Sequence, residues 1–109
     1  MKFYKNLYIG ETIKKPDKVK RKLKRHARAL KVFVITLASG DGQLEIYHNM
    51  ILGQPYYRKK ENAPYVIGIA GSYDEAVALV CRITEEALAQ NGSADLKKYL
   101  FPETGAAER

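Results

Sequence analysis

The sequence predicts an α+β domain. It is expected as a two-layer sandwich whose four-stranded mixed sheet carries two main helices and a short C-terminal one, in the order β-α-β-β-β-α. Three stretches carry that prediction. Tyr65–Gln90 reads as an apolar strand, a tight Gly-Ser turn and a long amphipathic helix. Val32–Ala38 is apolar at both parities, as a strand covered on both faces must be. Pro16–Leu30 repeats its apolar residues at helical spacing.

The first strand is expected over about Lys5–Ile9, where aromatic and β-branched residues end at Gly10. Pro16 suits the first turn of a helix because its missing N–H has no partner there, and Asp17 complements the positive helix end. The stripe Val19, Leu23, Ala27 and Leu30 is narrow, and lysine and arginine fill the other faces. Lys18/Lys22, Lys20/Lys24, Arg21/Arg25 and Lys24/Arg28 are like-charge pairs four residues apart. Together they oppose this helix by about 1–2 kcal/mol if the pairs add.

Leu30–Ala38 is the second strand, and Ser39-Gly40-Asp41-Gly42 signals a hairpin turn. Gln43–Leu52 alternates as the third strand, with Leu44, Ile46, His48, Met50 and Leu52 on one face. Gly53–Pro64, with two prolines and a basic trio, reads as a surface loop before the strand Tyr65–Ala70. Ser72 and Glu75 match the capping-box pattern at a helix start, and Asn91-Gly92 supplies its stop. Its apolar face is Ala76, Leu79, Val80, Ile83 and Ala87, widened by Val77 and Leu88. Asp95–Leu100 allows one or two more helical turns. Residues 1–101 thus form one domain, and 102–109 are expected as a disordered tail. The first helical connection predicts a right-handed parallel crossover. Both main helices on one sheet face is the economical arrangement. It leaves the other face to a second copy of the chain, the C-terminal segment or the Gly53–Pro64 loop.

The net charge of +7 is unevenly placed. Lys14–Lys31 holds ten of the nineteen basic residues and one acid, so the rest of the chain is slightly acidic. Ten positive residues in eighteen, carried on a helix, match the electrostatic footprint of a phosphate-backbone binder. The candidate polyanion-binding residues are Lys18, Lys20, Arg21, Lys22, Lys24, Arg25 and Arg28, extended by Arg58, Lys59 and Lys60. The competing reading is a merely solvated basic helix. Eight tyrosines without a tryptophan suggest interface chemistry, with Tyr47, Tyr56 and Tyr57 as candidate contact residues. Tyr56 and Tyr57 beside the basic trio offer stacking surfaces to unpaired bases. Expected partners are therefore nucleic acid or another polyanion and, alternatively, a second copy in a homodimer.

Other chemistry finds little support. Gly68-Ile69-Ala70-Gly71-Ser72 lacks the phosphate-loop pattern, and the acidic residues Asp74 and Glu75 in the following turn repel an anion. His26, His48 and Cys81 do not share metal-ligand spacing, and Cys81 is expected half-buried. The helix carboxylates, Glu86 among them, read as solvated. No catalytic residue, metal or cofactor is assigned, and the chain is expected not to be an enzyme. The N-terminus has lysines but no apolar signal-peptide core, the longest apolar run is too short to cross a bilayer, and one cysteine makes no internal disulfide. A cytoplasmic protein without membrane insertion is the expectation.

Overall fold

The run that is apolar at both parities sits where its pattern requires. In the computed structural model, which describes residues 1–38, 42–93 and 95–101, β2 (Phe33–Leu37) is an interior strand. It pairs antiparallel with β3 (Leu44–His48) on one side and with β4 (Tyr65–Ala70) on the other. β1 (Lys2–Ile9) lies parallel to β4 at the far edge, so the sheet order is β1-β4-β2-β3. Around it are α1 (Pro16–Lys24), the short α2 (Pro55–Arg58), the long α3 (Tyr73–Asn91) and α4 (Leu96–Leu100). The α+β class, the four-stranded mixed sheet and the order of elements match expectation. The hairpin signal falls mostly on 39–41, and the tail on 102–109, both outside the described residues.

Several expectations change. The parallel pair is β1–β4, and α1 joins strands that run in opposite directions, so there is no parallel crossover between β1 and β2. The cause is a helix shorter than its periodicity implied. α1 ends at Lys24, and residues 25–32 return the chain to the end of the sheet it left. The stop is a complete Schellman closure: His26 N–H bonds to Leu23 O at 3.0 Å and Ala27 N–H to Lys22 O at 3.0 Å. His26 holds the left-handed position, φ 54°, which glycine usually fills. Stopping there also takes Arg28 out of the helical register.

The main helices, moreover, divide between the two faces. Val34 and Ile35 are neighbours in β2 and so point to opposite sides. Val34, with Val66 and Ile69, packs on Leu23 of α1 and on Leu30, Val32 and Leu52. Ile35, with Ile67 and Ala70, packs on Ala76, Leu79 and Ile83 of α3 and on Leu100 of α4. The narrow stripe of α1 suffices because Leu52, fully buried in the 3₁₀ turn Ile51–Gly53, completes that cover. Neither sheet face is left wholly bare for a second copy.

The alternation expected through Gln43–Leu52 breaks after His48. Asn49, 6% exposed, accepts the Val32 N–H through Oδ1 at 2.9 Å and donates from Nδ2 to Leu30 O at 3.0 Å. Its own N–H bonds to Val32 O at 3.0 Å. That clamp ends the strand, exposes Met50 and Ile51, and folds Leu52 inward.

At α3 the capping box forms by half. Ser72 Oγ accepts the Glu75 N–H at 3.1 Å, but the Glu75 carboxylate turns to the β1–α1 loop. It accepts the Gly71 N–H at 2.7 Å, the Thr12 N–H at 3.1 Å and the Thr12 hydroxyl at 2.6 Å. A Cβ on Gly10 would displace that carboxylate, and one on Gly71 the Thr12 hydroxyl, so a side chain at either position disturbs this junction. Among the described residues no helix is long and apolar enough to cross a membrane.

Candidate functional site

Pro55 opens α2 at its first position, where the absent N–H costs nothing, and buried Leu52 fixes the approach to it. The loop expected at Gly53–Pro64 therefore has structure, and it lies beside the end of α1. Arg58 is anchored by an Nε–H donated to Gly53 O at 2.8 Å. Lys24 and His26 from the α1 terminus line one depression with Tyr57, Arg58 and Lys60. An adjoining depression brings Arg28 to His26 and Arg58, with Asn49 and Met50. Burial and the Arg58 guanidinium both push the His26 imidazole below its ordinary pKa, which keeps it neutral among its cationic neighbours.

Of the candidate cations, Lys24, Arg28, Arg58 and Lys60 thus converge. Lys18, Lys20, Arg21, Lys22, Arg25 and Lys59 line neither depression. Leu23 faces inward, so Lys18, Arg21 and Arg25 run along the exposed side of the helix. Lys20 and Lys24 reach back over Phe3 of β1, each ammonium 5.5 Å from the ring centroid. Among the described residues the ion pair that forms is Arg82–Glu86, at 3.1 Å, so none of these cations meets a carboxylate at bonding distance.

The three candidate contact tyrosines also come together. Tyr56 and Tyr57 meet edge to face at 4.9 Å, and Tyr47 and Tyr57 are tilted at 5.8 Å. They line a groove of about 370 Å³ together with the buried Thr36 and the exposed Glu45 and Glu61. Tyr47 donates its hydroxyl to Glu45 at 2.9 Å; burial first, then that bond, raises its pKa. Tyr57 borders both this groove and the cationic depression, which makes one continuous surface of them.

A second cluster was invisible to the helical wheel. Glu86, read as solvated, accepts the Tyr8 hydroxyl at 2.6 Å and the Tyr99 hydroxyl at 3.0 Å on one carboxylate oxygen. Arg82 pairs with the other oxygen and lies 5.6 Å from the Tyr8 ring. Those bonds, Tyr8 first, hold the Glu86 carboxyl below its usual range. Burial and the carboxylate push Tyr8 well above the usual tyrosine value. Every polar group here is satisfied by another, which ties α3 and α4 to β1 and describes scaffold. No signal in the sequence links residues so far apart.

The remaining readings resolve simply. Glu75 occupies the N–H groups ahead of α3, so the glycine turn does not cradle an anion. Cys81 is exposed rather than half-buried, because α3 buries only Ala76, Leu79, Ile83 and Ala87. His48 packs edge-on against Phe33 at 5.3 Å and accepts the Met50 N–H on Nδ1 at 3.2 Å. Among the described residues no group of three ligating side chains could hold a metal ion. Comparison with protein-family models, with curated proteins and with solved structures finds no match to this chain.

Proposed function

We propose that the protein is a non-enzymatic binding module that holds a polyanion, a nucleic-acid backbone above all, on the surface shared by α1 and the α2 segment. The observation that carries this reading is the convergence of Lys24 and Arg28 with Arg58 and Lys60, from distant parts of the sequence, without a carboxylate partner. Cations gathered without counter-charges repel one another, and a row of phosphates relieves that repulsion while releasing condensed counterions. The anchored Arg58 guanidinium presents a fixed fork to phosphate oxygens, and the lysines supply point charges around it. Arg21 and Arg25 extend the field along the exposed side of the helix.

A salt titration tests the reading. With about five phosphates engaged, log affinity for duplex DNA falls against log salt with a slope near −4.5, and less steeply for single strands. Replacing Arg58 and Lys60 together by alanine flattens that slope by about two. Absence of binding to DNA and RNA at low salt overturns the proposal.

One observation favours a second reading, a homodimer. The outer side of α3 exposes Tyr73, Val77 and Leu88, with Cys81 between them. A second copy packing there would leave the basic surface merely solvated. Sedimentation that stays monomeric at every concentration excludes it.

A further inference from the structure

We infer that the tyrosine groove beside the cationic depression takes a single unpaired nucleobase, making the ligand single-stranded nucleic acid with a preference for bases that carry an exocyclic amino group. This inference rests on the polyanion reading above and names the ligand class for the same surface.

Tyr47, Tyr56 and Tyr57 come from β3 and α2 and meet at one wall, yet no two of them stack face to face. Edge-to-face packing covers at most one face of a ring, and Tyr56 is 61% exposed. A base laid against such a face gains stacking energy whatever its identity. Paired bases are already stacked inside a duplex and cannot present a face to the protein. The groove therefore selects against duplex, while the cations serve either form.

The groove's rim supplies the second half of the inference. Glu45 and Glu61 border it, whereas Lys24, Arg58 and Lys60 border the neighbouring depression, and Tyr57 stands between the two. Carboxylates repel phosphates, so the backbone is held on the cationic side and only the uncharged base enters the groove. Acceptor-only carboxylates pair with the two-proton amino groups of adenine, cytosine and guanine, whereas thymine and uracil offer only the single N3–H, flanked by two carbonyl oxygens that a carboxylate repels. The polarity of the surface thus orients the strand and discriminates among bases.

The test is binding of fluorescein-labelled oligodeoxyadenylate, oligodeoxythymidylate, an abasic strand of the same length and a duplex, at one low salt concentration. The adenylate strand is expected to bind about tenfold or more tighter than the abasic strand and the duplex. Tyr56→Ala, at an exposed position, should remove that advantage and leave the salt slope unchanged, and Tyr56→Phe should restore it. Glu61→Gln should narrow the difference between adenylate and thymidylate. Equal binding of all four probes, insensitive to Tyr56→Ala, overturns this inference and leaves the polyanion reading standing. No binding of any probe overturns both. Saturable uptake of tetramethylammonium with no strand preference also overturns it, assigning the groove to a cation.

Discussion

Replacing Asn49 with alanine should cost this domain far more than its modest polarity suggests. The side chain joins the end of β3 to the segment entering β2 through two hydrogen bonds, to Val32 N–H at 2.9 Å and Leu30 O at 3.0 Å. Leu30 and Val32 are 8% and 5% exposed, so neither backbone group finds water easily after truncation. Leaving a buried donor or acceptor unsatisfied costs about 1–3 kcal/mol each, which sums to roughly 2–4 kcal/mol once partial relaxation is allowed. For a domain of this size that lowers Tm by about 10–20 °C. Thermal and urea unfolding followed by circular dichroism measure it, with an unchanged urea m-value indicating that the same surface unfolds. Asn49→Asp sharpens the result. The carboxylate keeps the acceptor for Val32 N–H but faces Leu30 O without a donor, and burial raises its pKa above the unfolded value. Stability gained by protonation is present below the unfolded pKa and lost as pH rises through the raised one, so this variant should recover as pH falls. A loss under about 0.5 kcal/mol for Asn49→Ala, the ordinary range of a surface change, refutes the clamp.

Three further outcomes follow from the geometry. His26→Gly should stabilise the domain by up to about 1 kcal/mol, because glycine occupies φ 54° without a Cβ penalty; an unchanged urea midpoint counts against strain there. Glu75 is held below the usual carboxylate range by the Gly71 N–H and then the Thr12 hydroxyl, so its contribution exists above the unfolded pKa and is lost as pH falls through the lowered one. Glu75→Gln should therefore flatten the acid limb of the stability profile, read as urea midpoint against pH. Leu52→Ala opens a cavity beneath α1 and should cost about 2–5 kcal/mol. At salt and temperature where the variant remains folded, it should also weaken DNA binding, because Leu52 fixes the approach to Arg58 and Lys60.

Local physics made much of this protein legible in its residues. Apolar patterning at both parities identified β2 as interior, since a strand buried on each side can carry no polar face. Ser72 and Gly92 marked the ends of α3, because orphan N–H groups and a left-handed stop demand those residue types. The block of charge at Lys14–Lys31 and the triplet at Arg58–Lys60 were equally visible. Tertiary structure decided the rest. The end of α1 depends on a left-handed histidine that no propensity scale selects, and that single turn reverses the direction of β2 relative to β1. The expectation of both main helices on one sheet face failed, because Val19, Leu23 and Ala27 fit either side equally well. Glu86 was indistinguishable from its exposed neighbours until β1 and α4 delivered two tyrosine hydroxyls to it. The candidate site follows the same division. Its cations and rings are written in the sequence as two separate segments. Only the burial of Leu52 and the Asn49 clamp, long-range contacts that one-dimensional periodicity cannot encode, bring Lys24 and Arg28 beside Arg58 and Lys60.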